Sequence, residues 1–225
     1  MIEFENVTKK YDHGVVALNN INLKIDKGEF VFLVGPSGSG KSTFLKLVIK
    51  EEDPTSGNIT INGKELSKIK DQDVPYLRRK IGFVFQDFRL LYDKTVYENI
   101  VFALRVIEAG EREIRTQVNS VLELVGLKGK EDYFPNQLSG GEQQRISLAR
   151  AMATRPPIII ADEPTGNLDG ETAAGIMKVL YNINASGTTV VVVTHDRNII
   201  SASGKRVISL DKGNVVKDEQ KGGNN

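Results

Sequence analysis

The stretch Gly35-Pro36-Ser37-Gly38-Ser39-Gly40-Lys41-Ser42 decides the fold. It fits the spacing G-x-x-x-x-G-K-[ST]. The run before it, Phe30-Val31-Phe32-Leu33-Val34, reads as a strand, and the run after it, Phe44-Leu45-Lys46-Leu47-Val48-Ile49, reads as a helix. Strand, glycine-rich loop and helix in that order make a phosphate cradle. The glycines let the loop wrap closely, so that backbone N–H groups and the positive end of the following helix converge on an anion. On this reading Gly35, Pro36, Ser37, Gly38, Ser39, Gly40, Lys41, Ser42 and Thr43 bind nucleotide. Lys41 meets the β and γ phosphates, and the Ser42 hydroxyl ligates Mg²⁺.

Working outward, short apolar runs recur at Ile81-Gly82-Phe83-Val84-Phe85, Ile158-Ile159-Ile160-Ala161 and Thr189-Val190-Val191-Val192-Val193. Continuous rather than alternating apolar character predicts strands buried on both faces, hence an α/β core with a mostly parallel sheet. From Val96 to Thr154 the strand runs stop and helical periodicity takes over. Ile114, Val118, Val121, Leu122 and Val125 form one stripe of an amphipathic helix ending near Gly126. The expected organisation is one domain: a P-loop NTPase core over residues 1–86 and 157–217, an inserted helical subdomain over 87–156, and a flexible tail over 218–225.

The run from Ile158 ends in Asp162-Glu163, two carboxylates where a buried strand emerges at the phosphate edge of a sheet. Asp162 is suited to orient Mg²⁺ and Glu163 to align the attacking water as a base. After the valine run comes His195, placed to hydrogen-bond a γ-phosphate or simply to be structural. Gln86 closes another strand and is able to touch a metal-bound water. Ser139 precedes Gly140, Gly141 and Glu142 at the start of a helix running to Met152. Taken alone, this segment is either an ordinary capped helix or a second anion site whose first-turn N–H groups are left bare by glycine.

Composition bounds the rest. Apolar residues at 40% and charged residues at 26% exclude a disordered or fibrous chain. Thirty basic against twenty-nine acidic residues give a net charge of +1, which argues against nucleic acid as a partner. Without cysteine there are no disulfides, thiol catalysis or cysteine-ligated metals. Nowhere do about 18 apolar residues run together, so action at a membrane requires another chain as anchor.

The order of Gly35 to Ser42, Gln86, Leu138 to Glu142, Asp162-Glu163, Asn167-Leu168-Asp169 and His195 resembles the ATPase subunit of ABC systems over nearly the whole chain. That resemblance implies ATP hydrolysis by a head-to-tail homodimer. Ser139, Gly140, Gly141 and Glu142 of one subunit close over ATP held by Lys41 of the other. Tyr11 stacks on adenine, although an aromatic at a loop edge is the plainer reading, and Asp169 lies near the opposite site. Finer features, from Asp73 to Arg79, Phe85 to Leu91 and Lys94 to Asn99, are most similar to the bacterial cell-division ATPases of the FtsE branch. This implies a peripheral protein on the cytoplasmic face of the membrane, with an FtsX-like membrane subunit through which ATP-driven movement reaches cell-wall hydrolases. Glu142 stands where glutamine is usual, and Gly166-Asn167 where Ser-Ala is usual; both variants also occur in this branch and in lipoprotein and macrolide exporters, so the exporter role is the alternative. A soluble ABC protein of DNA repair or translation lacks support, since no second cassette, long coiled coil or basic face is present. Phe88, Leu90 and Leu91 follow Gln86 in a loop and are expected either to receive the membrane subunit, which would dock near Gln86 to Leu91, or to seal the lobes together.

Overall fold

The structure is a computed structural model that describes residues 1–12 and 14–220. In chain order its first elements are β1 (Ile2–Lys10), β2 (Val16–Ile25), β3 (Phe30–Val34), α1 (Lys41–Val48), β4 (Ser56–Ile61), β5 (Lys64–Glu65), α2 (Val74–Arg78) and β6 (Ile81–Val84). There follow α3 (Val96–Val106), α4 (Glu111–Val125), α5 (Gly140–Met152), β7 (Ile158–Asp162), α6 (Gly170–Ala185), β8 (Thr189–Val193), α7 (Arg197–Ser203), β9 (Arg206–Asp211) and β10 (Asn214–Gln220). The described residues pack as two compact units, those within 1–78 and 191–220 and those within 79–190, and β8 contributes its last three residues to the first and its first two to the second.

In the first unit β2, β1, β4 and β5 form an antiparallel sheet in that order. Leu18, Ile21, Leu23 and Ile25 turn one side of β2 into the core, while Asn20, Asn22 and Lys24 face solvent. The inward side of β1, with Ile2, Phe4 and Val7, is read less easily. A bulge with Asn6 at φ 51° shifts its register between Phe4 and Val7. Phe4 stacks on Phe44 of α1 at 4.5 Å, fastening this sheet to the helix that follows the glycine-rich loop. Alongside, β3 runs parallel to β9, which pairs antiparallel with β10.

The expected tail is corrected at its start. Asp218 to Gln220 complete β10, because Arg206 on β9 donates to both carboxylate oxygens of Asp218 at 2.7 Å and also reaches Glu29. Residues 221–225, the rest of that expectation, lie outside the described residues.

In the second unit β6 and β7 pair in parallel, Ile81 opposite Ile158 through Val84 opposite Ala161. A Cβ on Gly82 would run into the Ala151 carbonyl, so glycine lets α5 approach β6 closely. The amphipathic stripe behaves as its spacing predicts: Ile114, Val118, Val121, Leu122 and Val125 of α4 are buried, and Gly126 ends the helix at φ 71°. Parallel strands with flanking helices and a helical region make the expected α/β class.

Candidate functional site

In the first unit, β3 feeds the glycine-rich loop and α1 begins at Lys41. Gly40 sits at φ 108°, and a Cβ there would fall 2.5 Å from the Ala17 carbonyl oxygen, so only glycine makes this entry into the helix. Lys41 Nζ donates to the carbonyls of Gly35 at 2.7 Å and Pro36 at 2.9 Å, which lays the ammonium across the mouth of its own loop. Pro36, Ser37, Gly38 and Ser42 are exposed, whereas Ser39 and Thr43 are buried beneath them. The Thr194 N–H donates to Leu33 on β3, and His195 emerges exposed one residue later, beside the strand that leads into the loop.

Tyr11 is half-buried, and its hydroxyl shares a 3.3 Å hydrogen bond with Thr43 Oγ1, which ties the aromatic to the helix that carries Lys41 and Ser42. Behind it stands Glu52, paired with Lys46 at 3.0 Å and Lys9 at 3.2 Å. Burial pushes the Glu52 carboxyl up, but hydrogen bonds from Tyr11, Lys46 and Lys9 outweigh it and hold the group below the usual carboxylate range. Nothing in the local spacing announces this network, because its members lie up to 43 residues apart, the distance from Lys9 to Glu52.

In the second unit, Gln86 and Asp162 come together. With Phe85, Asp87, Arg89 and Asn167 they line one cleft of 390 Å³. Glu163 follows Asp162 with φ 45°, a left-handed conformation rare for a residue with a side chain. The turn is held from α5, since buried Gln144 donates to the Pro164 carbonyl at 2.9 Å.

Ser139 caps α5 through a reciprocal box. Glu142 N–H donates to Ser139 Oγ at 3.4 Å, and Glu142 Oε2 accepts from the Ser139 N–H and hydroxyl, each at 2.9 Å. Gly141 meets Thr172 where a Cβ would stand, whereas Gly140 is open, with Leu168 3.9 Å from that position. Asp169 caps α6: its carboxylate accepts from the Thr172 N–H at 2.9 Å and the Thr172 hydroxyl at 2.7 Å, bonds that hold its carboxyl below the ordinary range.

The loop after Gln86 divides between the two roles expected of it. Leu90 is buried and so belongs to the core, while Phe88 and Leu91 are half-buried. Phe88 and Arg89 both have positive φ, 58° and 47°, and Arg150 on α5 donates to their two carbonyls at 2.9 and 2.6 Å.

Comparison with known proteins decides the family. The family profile described as ABC transporter matches residues 18–166. The cell-division ATP-binding protein FtsE of Bacillus subtilis is 54% identical over 222 residues, covering 99% of this chain and 97% of the relative. FtsE of Escherichia coli K12 is 45% identical over 215 residues, covering 96% and 97%.

The chain belongs to the ABC transporter family, in its FtsE branch.

ATP binding and hydrolysis are therefore its activity. A solved ABC cassette, dimeric and in a post-hydrolysis state with ADP and Pi bound, superposes with a TM-score of 0.89 at 42% identity, covering 99% of this chain and 100% of that one. Family membership also gives the two helix-start motifs their context. The segment from Ser139 to Glu142 lies within the matched residues 18–166, and its capped-helix reading is the one its geometry shows.

Proposed function

We propose that this chain is the ATP-driven subunit of a membrane complex in cell division, working as a head-to-tail dimer in which each ATP is held by both subunits. The observation that carries the reading is the cleft in which Gln86, the residue leading into an apolar loop, meets Asp162. A side chain able to sense the nucleotide thereby adjoins a surface able to receive a partner. Residues 1–86 and 157–217 act as the nucleotide-binding core, and residues 87–156 as the inserted helical subdomain.

In the proposed site the backbone N–H groups from Gly35 to Thr43 cradle the phosphates, Lys41 exchanges its loop carbonyls for phosphate oxygens, and Tyr11 stacks on the base. Glu163 accepts a proton from the attacking water, and His195 donates to the γ-phosphate. From the second subunit, Ser139, Gly140, Gly141 and Glu142 close over the same phosphates, and Asp169 lies close by.

Ser42, Asp162 and Gln86 offer a hydroxyl, a carboxylate and an amide oxygen, a hard and sparse donor set that fits Mg²⁺. Among the described residues no three His, Cys, Asp or Glu side chains gather to hold a metal by themselves, which suits a cation whose remaining ligands are phosphate and water. When bound, Mg²⁺ would neutralise charge on the β and γ phosphates.

Among the described residues no helix is long and apolar enough to cross a membrane. The proposed location is the cytoplasmic face, beneath an FtsX-like membrane subunit. Phe88 and Leu91 remain candidates for the docking surface near Gln86 to Leu91, with Leu90 removed from that role by burial. Phe88→Ala with Leu91→Ser is expected to lose co-purification with a four-span membrane partner while keeping Mg-ATP affinity. Recovery of the partner at wild-type yield would overturn the docking site, and recovery of a large periplasmic adaptor complex instead would favour export over division.

A further inference from the structure

The helix start at Ser139 carries a charge on Glu142, and the structure shows where that charge goes. Glu142 Oε2 is occupied by Ser139, as above. Its other oxygen, Oε1, is gripped by Lys130 Nζ, a residue that no motif singles out. Lys130 sits in the turn after α4, and that turn is fixed. Lys130 N–H donates to Leu127, Tyr133 N–H donates to the Lys130 carbonyl, and the carbonyls of Glu131 and Tyr133 accept from the first N–H groups of α3. The ammonium lies 5.9 Å from the Tyr133 ring centre. Hydrogen bonds from Lys130 first, and then from Ser139, hold the Glu142 carboxyl below the ordinary carboxylate range despite partial burial, so the group is a true anion.

That anion creates a difficulty for the proposed reaction. A serine hydroxyl has one proton, and here Ser139 donates it to Glu142. A phosphate oxygen, which is only an acceptor, requires the same proton. A bare carboxylate at this position would both retain the proton and repel the polyphosphate.

We propose that Lys130 is a positioning residue for ATP hydrolysis, which by holding Glu142 Oε1 cancels the charge at the start of α5 and lets Ser139 turn its hydroxyl to a phosphate oxygen. Lys130 touches neither nucleotide nor reacting atoms; it acts through Glu142. The requirement arises from the glutamate: a glutamine at 142 would form the same box without a charge to be balanced. The inference rests on the proposal that Ser139 closes over the ATP of the other subunit.

The test is a pair of substitutions in each of two backgrounds, with calorimetric Mg-ATP affinity of the single subunit and steady-state ATPase kinetics as readouts. Lys130→Met is expected to leave the affinity unchanged and to lower kcat by about 3- to 5-fold, the upper scale of a partly exposed charge pair. Lys130→Arg is expected to stay within about twofold of the parent, since a guanidinium keeps the positive charge and can donate to the same single carboxylate oxygen. Glu142→Gln, whatever its own rate, supplies the second background, and there Lys130→Met is expected to have no further effect. An equal loss in both backgrounds, a wild-type rate for Lys130→Met alone, or a loss of subunit ATP affinity together with melting temperature would each overturn the proposal. Ser139→Arg separates the levels. If it hydrolyses ATP normally, the shared-site reading fails and the proposal with it. If it is inactive while Lys130→Met is normal, only the proposal fails.

Discussion

Glu163 is a carboxylate in an awkward place. A non-glycine residue at φ 45° costs on the order of 1–3 kcal/mol and persists only where the surroundings impose it. Here they do. Pro164 disfavours the ordinary helical conformation for the residue before it, its carbonyl is held by Gln144, and Gly166 N–H closes the turn onto the Glu163 carbonyl. The strain thus fixes the backbone of Glu163 directly after Asp162, which suits the proposed role as a base. Glu163→Gln keeps the shape but gives up the proton acceptor. ATP affinity should be retained while kcat falls by roughly 10²–10⁴-fold, and the persisting nucleotide should shift the protein towards dimer in light scattering. Wild-type turnover would remove Glu163 from its role. The buried strand that ends at this acid pair was legible in the sequence, because an unbroken apolar run stops there. The backbone strain at Glu163 was not, since a contact that holds the turn comes from Gln144, 20 residues before Pro164.

Among elements, the loop from Phe85 to Thr95 shows how much of a site lies beyond local pattern. Its far end is pinned by Asn99, fully buried, which accepts from the Leu91 N–H and donates to the carbonyls of Leu91, Lys94 and Thr95. Its near end is pinned by Arg150, whose guanidinium satisfies the carbonyls of the two left-handed residues. Burial pulls the Arg150 pKa down, and the guanidinium donates to the carbonyls of Phe88 and Arg89. Arg150→Ala strands both acceptors and should cost about 2 kcal/mol, a fall in melting temperature of about 4–8 °C for a chain of this size. ATPase activity should become less responsive to the membrane partner, since the loop next to Gln86 loses its tie to α5. An unchanged melting curve would show that water replaces the clamp. The same loop explains why two roles stayed open for Leu90: a run of apolar residues in a connection gives no sign of which ones turn inward. By contrast α4 was legible because one period governs its whole length. The antiparallel sheet of the first unit was not, since bulges break the alternation of β1 and charged residues dilute it.

At the level of the whole molecule, the proposed site is split between two chains, and this makes a prediction no single variant can test. Lys41→Ala removes the cation of the cradle and so disables the site it belongs to. Ser139→Arg places a bulky charge in the cap that the same subunit lends to the other site. Each homodimer of either variant has two defective sites. A mixed dimer has one site with both defects and one with neither, because Lys41 and Ser139 that act on the same ATP come from different chains. Random exchange at equal concentrations makes half of the dimers mixed, each with one of its two sites intact, so activity should recover to about a quarter of wild type if the sites work independently. If hydrolysis requires both sites together, recovery vanishes, and the two cases are separated by mixing wild-type subunits with a molar excess of Lys41→Ala. Independent sites then lose rate only in proportion to dilution, and coupled sites lose it more steeply. Absence of recovery in the variant mixture, with mixed dimers demonstrated by differential tagging and with linear behaviour in the dilution series, would place Ser139 and Lys41 on the same ATP within one chain and overturn the head-to-tail arrangement.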